Sequence, residues 1–121
     1  MQLEGKIAVI TGGARGIGRA ICERYAAEGA LAVVADRLGS EAEGTAATIM
    51  ASGGNALAVE VDVTEHASIN AMVETVVSQT GGIDILVNGA GIFDMAPILE
   101  ITHESYEQVF AVNVKGSLFT L

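Results

Sequence analysis

The sequence predicts a doubly wound α/β fold around a parallel sheet, and three observations predict it. Apolar runs of strand length alternate with helical patterns four times. The runs are mostly continuous rather than alternating, as expected of strands covered on both faces. The first run ends in a glycine-rich turn that opens directly into a helix. With right-handed crossovers this alternation gives the strand order 3-2-1-4, the strand after the glycine loop lying inside the sheet.

The four runs are "KIAVIT" (6–11), "LAVVAD" (31–36), "ALAVEV" (56–61) and "IDILVN" (83–88). Between the second and third, Ser40 and Glu43 are spaced as a capping box, and Gly53-Gly54 stops the helix. Thr64 is placed to cap the next helix. In that helix Ile69, Met72, Val73, Val76 and Val77 follow the i, i+3, i+4, i+7, i+8 spacing of a face packed on the sheet. A fourth helix is expected after Thr102, with Ile101 and Tyr106 forming a hydrophobic staple and Tyr106, Val109, Phe110 and Asn113 sharing a face. The chain then runs through "VNVKGSLFTL" to Leu121 with no capping glycine and no polar tail. That ending, and a fourth strand left as an apolar edge, predict a truncated domain whose further strands would cover the edge.

Residues 1–121 have room for one domain, expected to be incomplete at its C-terminus, and a 50% hydrophobic composition predicts a globular core. Six basic against fifteen acidic residues give a net charge of −9, which disfavours nucleic acid and anionic membrane surfaces as partners. The only basic cluster, Arg15, Arg19 and Arg24, falls on one helix. No apolar run approaches the roughly 18 residues of a membrane span, and no signal-peptide pattern opens the chain. A cytoplasmic protein is expected. Cys22 reads as a small packed hydrophobe. His66 and His103, each in the first turn of a helix, read as solvated, and no metal site is predicted.

The stretch "TGGARGIG" (11–18) is the most informative. A phosphate must reach backbone N–H groups at a helix start, and any Cβ in the way keeps it out. Gly12 would allow the sharp turn leaving the strand, Gly16 the approach of a pyrophosphate, and Gly18 the packing of the helix on the sheet. Tight turns also need glycine, so the triplet alone is weak. Its place between strand and helix, with Asp36 ending the second strand, is the confirming context for a dinucleotide site. The Asp36 carboxylate can accept hydrogen bonds from both ribose hydroxyls and would repel a 2′-phosphate, which favours NAD. Arg15 and Arg37 pull towards NADP, since either guanidinium could bind that phosphate, but like charges in a partly desolvated cleft weigh more. Asp62 is either a turn aspartate or an acceptor for the adenine amino group.

"TGGARGIG", Asp36, "DVT" (62–64), "IDILVNGAG" (83–91) and "VNVKG" (112–116) together resemble the amino-terminal half of a short-chain dehydrogenase/reductase, over essentially the whole chain. Residues 91–114 are most similar to bacterial polyol dehydrogenases of the sorbitol type. The resemblance implies a Rossmann-type fold. It also implies that Thr11, Gly12, Gly16, Ile17 and Gly18 line the pyrophosphate, Asp36 the adenosine ribose, Asp62 and Val63 the adenine, and Asn88, Ala90 and Gly91 the cofactor's ribose side. Asn113 matches the asparagine of the family's catalytic tetrad. Where the family pattern has Asn-Asn-Ala-Gly, this chain has Gly89 in the second position.

The resemblance further implies a secondary alcohol or ketone as the small-molecule substrate and a homo-oligomeric assembly. The family's chemistry uses a tyrosine with a lysine four residues later, and a serine from the next strand. Here Tyr25 is followed four on by Gly29 and Tyr106 by Phe110, and the lysines are Lys6 and Lys115. The 121-residue chain by itself is therefore expected to be inactive. Two rivals stand beside an enzyme fragment: a free-standing dinucleotide-binding module without catalysis, and an S-adenosylmethionine-dependent methyltransferase. The spacing at 11–18 and Asn88-Gly-Ala-Gly argue against the latter.

Overall fold

The computed structural model of the chain describes residues 1–92 and 96–121. Residues 93–95, part of the segment that carries the finer resemblance, lie outside the described residues. Four strands, β1 (Ile7–Thr11), β2 (Leu31–Asp36), β3 (Asn55–Glu60) and β4 (Ile85–Asn88), form one sheet in the order β3-β2-β1-β4. All pairings are parallel: Val9 lies opposite Val33 on one side and Leu86 on the other, and Val33 opposite Leu57. The expected order is the observed one.

Continuous apolar strands follow from coverage on both faces. Ala8, Ile10, Ala32 and Val34 pack under α1 (Gly16–Ala27) and α2 (Gly39–Ala51), against Cys22, Ala26, Ala42, Ala46 and Ile49. Val9, Val33 and Ala35 face the other way, against Ile69, Met72 and Val76 of α3 (His66–Thr80). Each buried valine, isoleucine or methionine among these contributes about 1.5–3 kcal/mol by leaving water. Burial pushes the Cys22 thiol up to about 12, in keeping with a packed hydrophobe rather than a nucleophile.

Several helix ends differ from the sequence expectation. Ser40 and Glu43 make no capping box: α2 begins two residues earlier, with Leu38 at the cap position and no side-chain cap bond. The Leu38 N–H is instead taken by Asp36 Oδ1 at 3.0 Å. Thr64 does not cap α3, whose cap position is Glu65, because its hydroxyl donates to Asp62 Oδ1 at 2.6 Å. On α3 the packed face is narrower than the spacing suggests. Val73 and Val77 remain 36% and 43% exposed, since no element among the described residues covers that flank. The Gly53-Gly54 stop holds: Gly53 N–H reaches Met50 C=O and Gly54 N–H reaches Ile49 C=O, the paired bonds that close a helix at glycine.

After β4 a short 3₁₀ turn (Ile98–Glu100) leads to α4 (His103–Phe110), capped by Thr102 Oγ1, which accepts the Ser105 N–H at 3.0 Å. Tyr106 stacks on Phe110 at 4.5 Å between ring centroids. The helix widens into a π-helical turn (Ala111–Gly116) and ends as α5 (Ser117–Thr120). Gly116 lets this rod approach residue 63, where a Cβ would stand 2.8 Å from Val63 Cγ2. Among the described residues no helix is long and apolar enough to cross a membrane. The arginines of α1 and its cap are paired with acids: Arg19 with Glu23 at 2.9 Å, Arg24 with Glu28 at 2.7 Å and Arg15 with Glu41 at 3.9 Å.

Candidate functional site

A cleft of about 240 Å³ opens at the carboxyl ends of the strands, where the order reverses between β1 and β4. This is where open α/β sheets place ligands. Gly12, Arg15 and Gly18 line it from the glycine loop, Asp36 and Arg37 from the end of β2, Asp62 and Val63 from the segment after β3, and Ala90 and Gly91 from the turn after β4. All nine were singled out from the sequence.

The loop is shaped by close backbone approach. Gly12 has φ +68°, and a Cβ there would stand 2.6 Å from the Gly89 carbonyl oxygen. A Cβ on Gly18 would overlap the Gly12 carbonyl, so α1 rests directly on the turn. Gly16 has φ +62° and nothing within 4 Å of where its Cβ would be; its backbone conformation, not space, favours glycine. No side chain caps α1, and no acidic residue lies in its first turn.

Asp36 is bonded on both oxygens. Oδ2 accepts the Ala14 N–H at 3.1 Å and Oδ1 the Leu38 N–H at 3.0 Å. The carboxylate therefore pins the glycine loop and the start of α2, while each oxygen keeps a second lone pair for a ligand. Asp62 makes a turn at the cleft wall. Its Oδ1 accepts both the Thr64 hydroxyl and the Thr64 N–H, and its own N–H donates to Ser68 Oγ at 2.9 Å. The Thr64 hydroxyl and then its N–H hold the Asp62 carboxyl below the usual aspartate value, with the Arg37 charge assisting and partial burial opposing.

Five residues expected at the site do not line this cleft. Thr11 is fully buried and holds the floor together: its hydroxyl accepts the N–H groups of Gly89 and Ala90, each at 3.2 Å. The Asn88 amide donates to Ser117 C=O at 3.2 Å, tying β4 to α5. Gly16 and Ile17 stand at the start of α1, with Ile17 82% exposed. Asn113 sits in the π-helical turn and bonds the backbone of Ile92, itself a lining residue. The position of Gly89 is also explained: a Cβ there would stand 2.5 Å from the Thr11 carbonyl oxygen, so in this backbone the residue is fitted by glycine.

The cleft has further walls that sequence reasoning missed: Leu38, Val61, Thr64, Gly89, Ile92, Gln108 and Val112. Leu38 and Val61 adjoin acids already singled out and could have been included on that ground. Gln108 and Val112 carry no local signal, since only the docking of the α4 rod brings them in.

The family model for short chain dehydrogenase matches residues 6–121. The chain belongs to the short-chain dehydrogenase family. A sorbitol dehydrogenase of Cereibacter sphaeroides is 52% identical over 121 residues, all of this chain and 46% of that protein. A galactitol 2-dehydrogenase of Agrobacterium fabrum (strain C58) is also 52% identical over 121 residues, with the same coverage. The crystal structure of a short-chain type dehydrogenase/reductase from Mycobacterium marinum superposes with a TM-score of 0.94 at 35% identity, covering 98% of this chain and 47% of that one. This short-chain dehydrogenase chain thus spans about half the length of the relatives it matches. The alternating strands, glycine loop and 3-2-1-4 order are those of the family's amino-terminal half.

Proposed function

We propose that this chain is the dinucleotide-binding half of an NAD-dependent dehydrogenase that interconverts a secondary alcohol, specifically a polyol, and its ketone. The observation that carries the reading is the Asp36 carboxylate standing in the same cleft as the glycine loop. The donor set fits a dinucleotide. The first N–H groups of α1, at Gly16, Ile17 and Gly18, have no side-chain cap and no acidic neighbour in the first turn, which suits a pyrophosphate. The spare lone pairs of Asp36 suit ribose hydroxyls. Asp62 and Val63 would border the adenine, and Asn88, Ala90 and Gly91 the second ribose.

When bound, the nicotinamide would supply or take the hydride. The chain's own part is to bind and orient. Arg15, which lines the cleft and stands 3.9 Å from Glu41, and Arg37, beside Asp62, would offset the cofactor's negative charge without removing the carboxylate that disfavours a 2′-phosphate. Asn113 contributes by fixing Ile92 at the cleft wall. Neither tyrosine has a lysine four residues on, so the 121-residue chain alone is proposed to be inactive. The 52% identity to a sorbitol and a galactitol dehydrogenase supports a polyol substrate. A cytoplasmic homo-oligomer completes the reading.

Titration with NADH and NADPH, followed by nicotinamide fluorescence, tests it, together with absorbance assays of NAD with sorbitol and galactitol. NADH is expected to bind more tightly than NADPH, and the 121-residue chain to form no NADH. Absence of NADH binding, preference for NADPH, or turnover by this chain alone would each overturn a stated part.

A further inference from the structure

We infer that Thr45 is a positioning residue for the glycine-rich loop: from the middle of α2 its hydroxyl holds the Ala14 carbonyl and so orients the entry to α1. The hydroxyl donates to Ala14 C=O at 2.7 Å across 31 residues of sequence. This is not the habit of hydroxyls in this chain's helices. Thr48, Thr80 and Thr120 each donate to the carbonyl four residues back in their own helical segment, at Gly44, Val76 and Gly116. Thr45 leaves its own helix instead, although it is 1% exposed and the other buried residues of α2 are Ala42, Ala46 and Ile49. A valine would fill the same space without a polar atom to satisfy. The hydroxyl therefore answers a need on the other side, the buried main chain of Ala14, which is 2% exposed.

Ala14 is held at both its main-chain groups. Its N–H goes to Asp36 Oδ2 and its C=O to Thr45, while the neighbouring Gly13 N–H reaches Ala35 C=O at 3.1 Å. The peptide joining Ala14 to Arg15 is planar and trans, so fixing its C=O on Thr45 turns the Arg15 N–H away from α2. Arg15 is the cap residue of α1 and lines the cleft. The two small side chains Ala42 and Ala46 let α2 come close enough for a residue as short as threonine to reach. Thr45 thus joins α2 to the glycine loop that lines the cleft. That the oriented loop serves a dinucleotide rests on the reading proposed above.

The test compares Thr45→Val and Thr45→Ser in the intact protein, using amide hydrogen exchange without nucleotide and NADH titration with it. Thr45→Val keeps the volume and removes the donor; it is expected to speed exchange of the Ala14 amide about tenfold and to weaken NADH by a similar factor. Amides of α3 should be unmoved, and Thr45→Ser should restore both readouts. Unchanged Ala14 exchange in Thr45→Val, or exchange raised equally in α3, overturns the inference. If exchange separates as expected but the wild-type protein binds no NADH, the positioning role stands and the dinucleotide reading falls.

Discussion

The side-chain amide of Asn113 grips the backbone of Ile92 at both its polar groups: Oδ1 accepts the Ile92 N–H at 2.8 Å, and Nδ2 donates to the Ile92 C=O at 2.6 Å. An amide is the one uncharged side chain that offers a donor and an acceptor side by side, as a strand edge does. The grip fastens the π-helical turn to the segment leaving β4.

Asn113→Ala should lower stability by about 1 kcal/mol, because both partners are exposed and water can take the amide's place. Asn113→Asp should melt lower still at neutral pH, since the carboxylate keeps the bond from the Ile92 N–H but meets the Ile92 carbonyl with a second acceptor. Thermal melting of the two variants checks this. An Asn113→Asp variant that melts with the wild-type protein would mean that the Nδ2 bond contributes nothing.

The glycines of the loop should differ in what they tolerate. Gly18→Ala drives a Cβ into the Gly12 carbonyl, a backbone overlap that should cost about 3 kcal/mol or more. Gly16→Ala meets no atom within 4 Å and pays only for a left-handed conformation, about 1–2 kcal/mol. Denaturation midpoints should therefore fall much further for Gly18→Ala, while Gly16→Ala remains folded with weakened NADH binding. Midpoints that fall equally would place the constraint in the loop's dihedral angles rather than in its contact with α1.

The strand order and most of the cleft were legible because both are local in the sequence. Continuous apolar runs report two-sided burial, and the spacing of Gly12, Gly16 and Gly18 reports a single turn. What stayed hidden is set by contacts between distant segments. Thr11, which the resemblance sets beside the pyrophosphate, has a hydroxyl that serves N–H groups 78 and 79 residues away, a contact no local pattern announces. Thr64 looked like a cap and turned out to bond Asp62, two residues back. Gln108 and Val112 reach the cleft only because Gly116 lets the rod settle on Val63. Nothing in "AVNVKG" announces a π-helical turn, which adjusts the helix so that Asn113 meets Ile92.

The Asp62 turn makes acid stability depend on Thr64. Because the folded value of Asp62 lies below its ordinary 3.8, its contribution is present above 3.8 and is lost as pH falls through the lower folded value. Thr64→Val removes the hydroxyl bond, the largest cause of the depression, and leaves the N–H bond in place. The folded value should rise towards 3.8, and acid unfolding should begin at higher pH than in the wild-type protein. Thr64→Ser should behave as wild type. Melting temperatures followed down through pH 3.8 distinguish these outcomes, and coincident acid limbs for Val and wild type would show that the N–H bond alone holds the carboxylate.

Asp36 invites an attempt to convert the proposed preference for NADH into one for NADPH by removing its charge, with Arg37 alongside to receive the 2′-phosphate. The hydrogen bonds argue that the exchange will not be simple. Asp36→Ala leaves the Ala14 and Leu38 N–H groups without their acceptor, and an unmet, partly buried N–H costs about 1–3 kcal/mol. The Ala14 bond also helps hold the loop on which either cofactor would rest. Asp36→Ala is therefore expected to melt lower and to bind NADH and NADPH both more weakly. Asp36→Asn, which retains one oxygen, should recover part of the stability with less discrimination between the two. Paired titrations with melting curves decide the matter. A gain in NADPH affinity by Asp36→Ala at unchanged melting temperature would mean that the carboxylate acts on the ribose alone and that its bonds to the loop carry no weight.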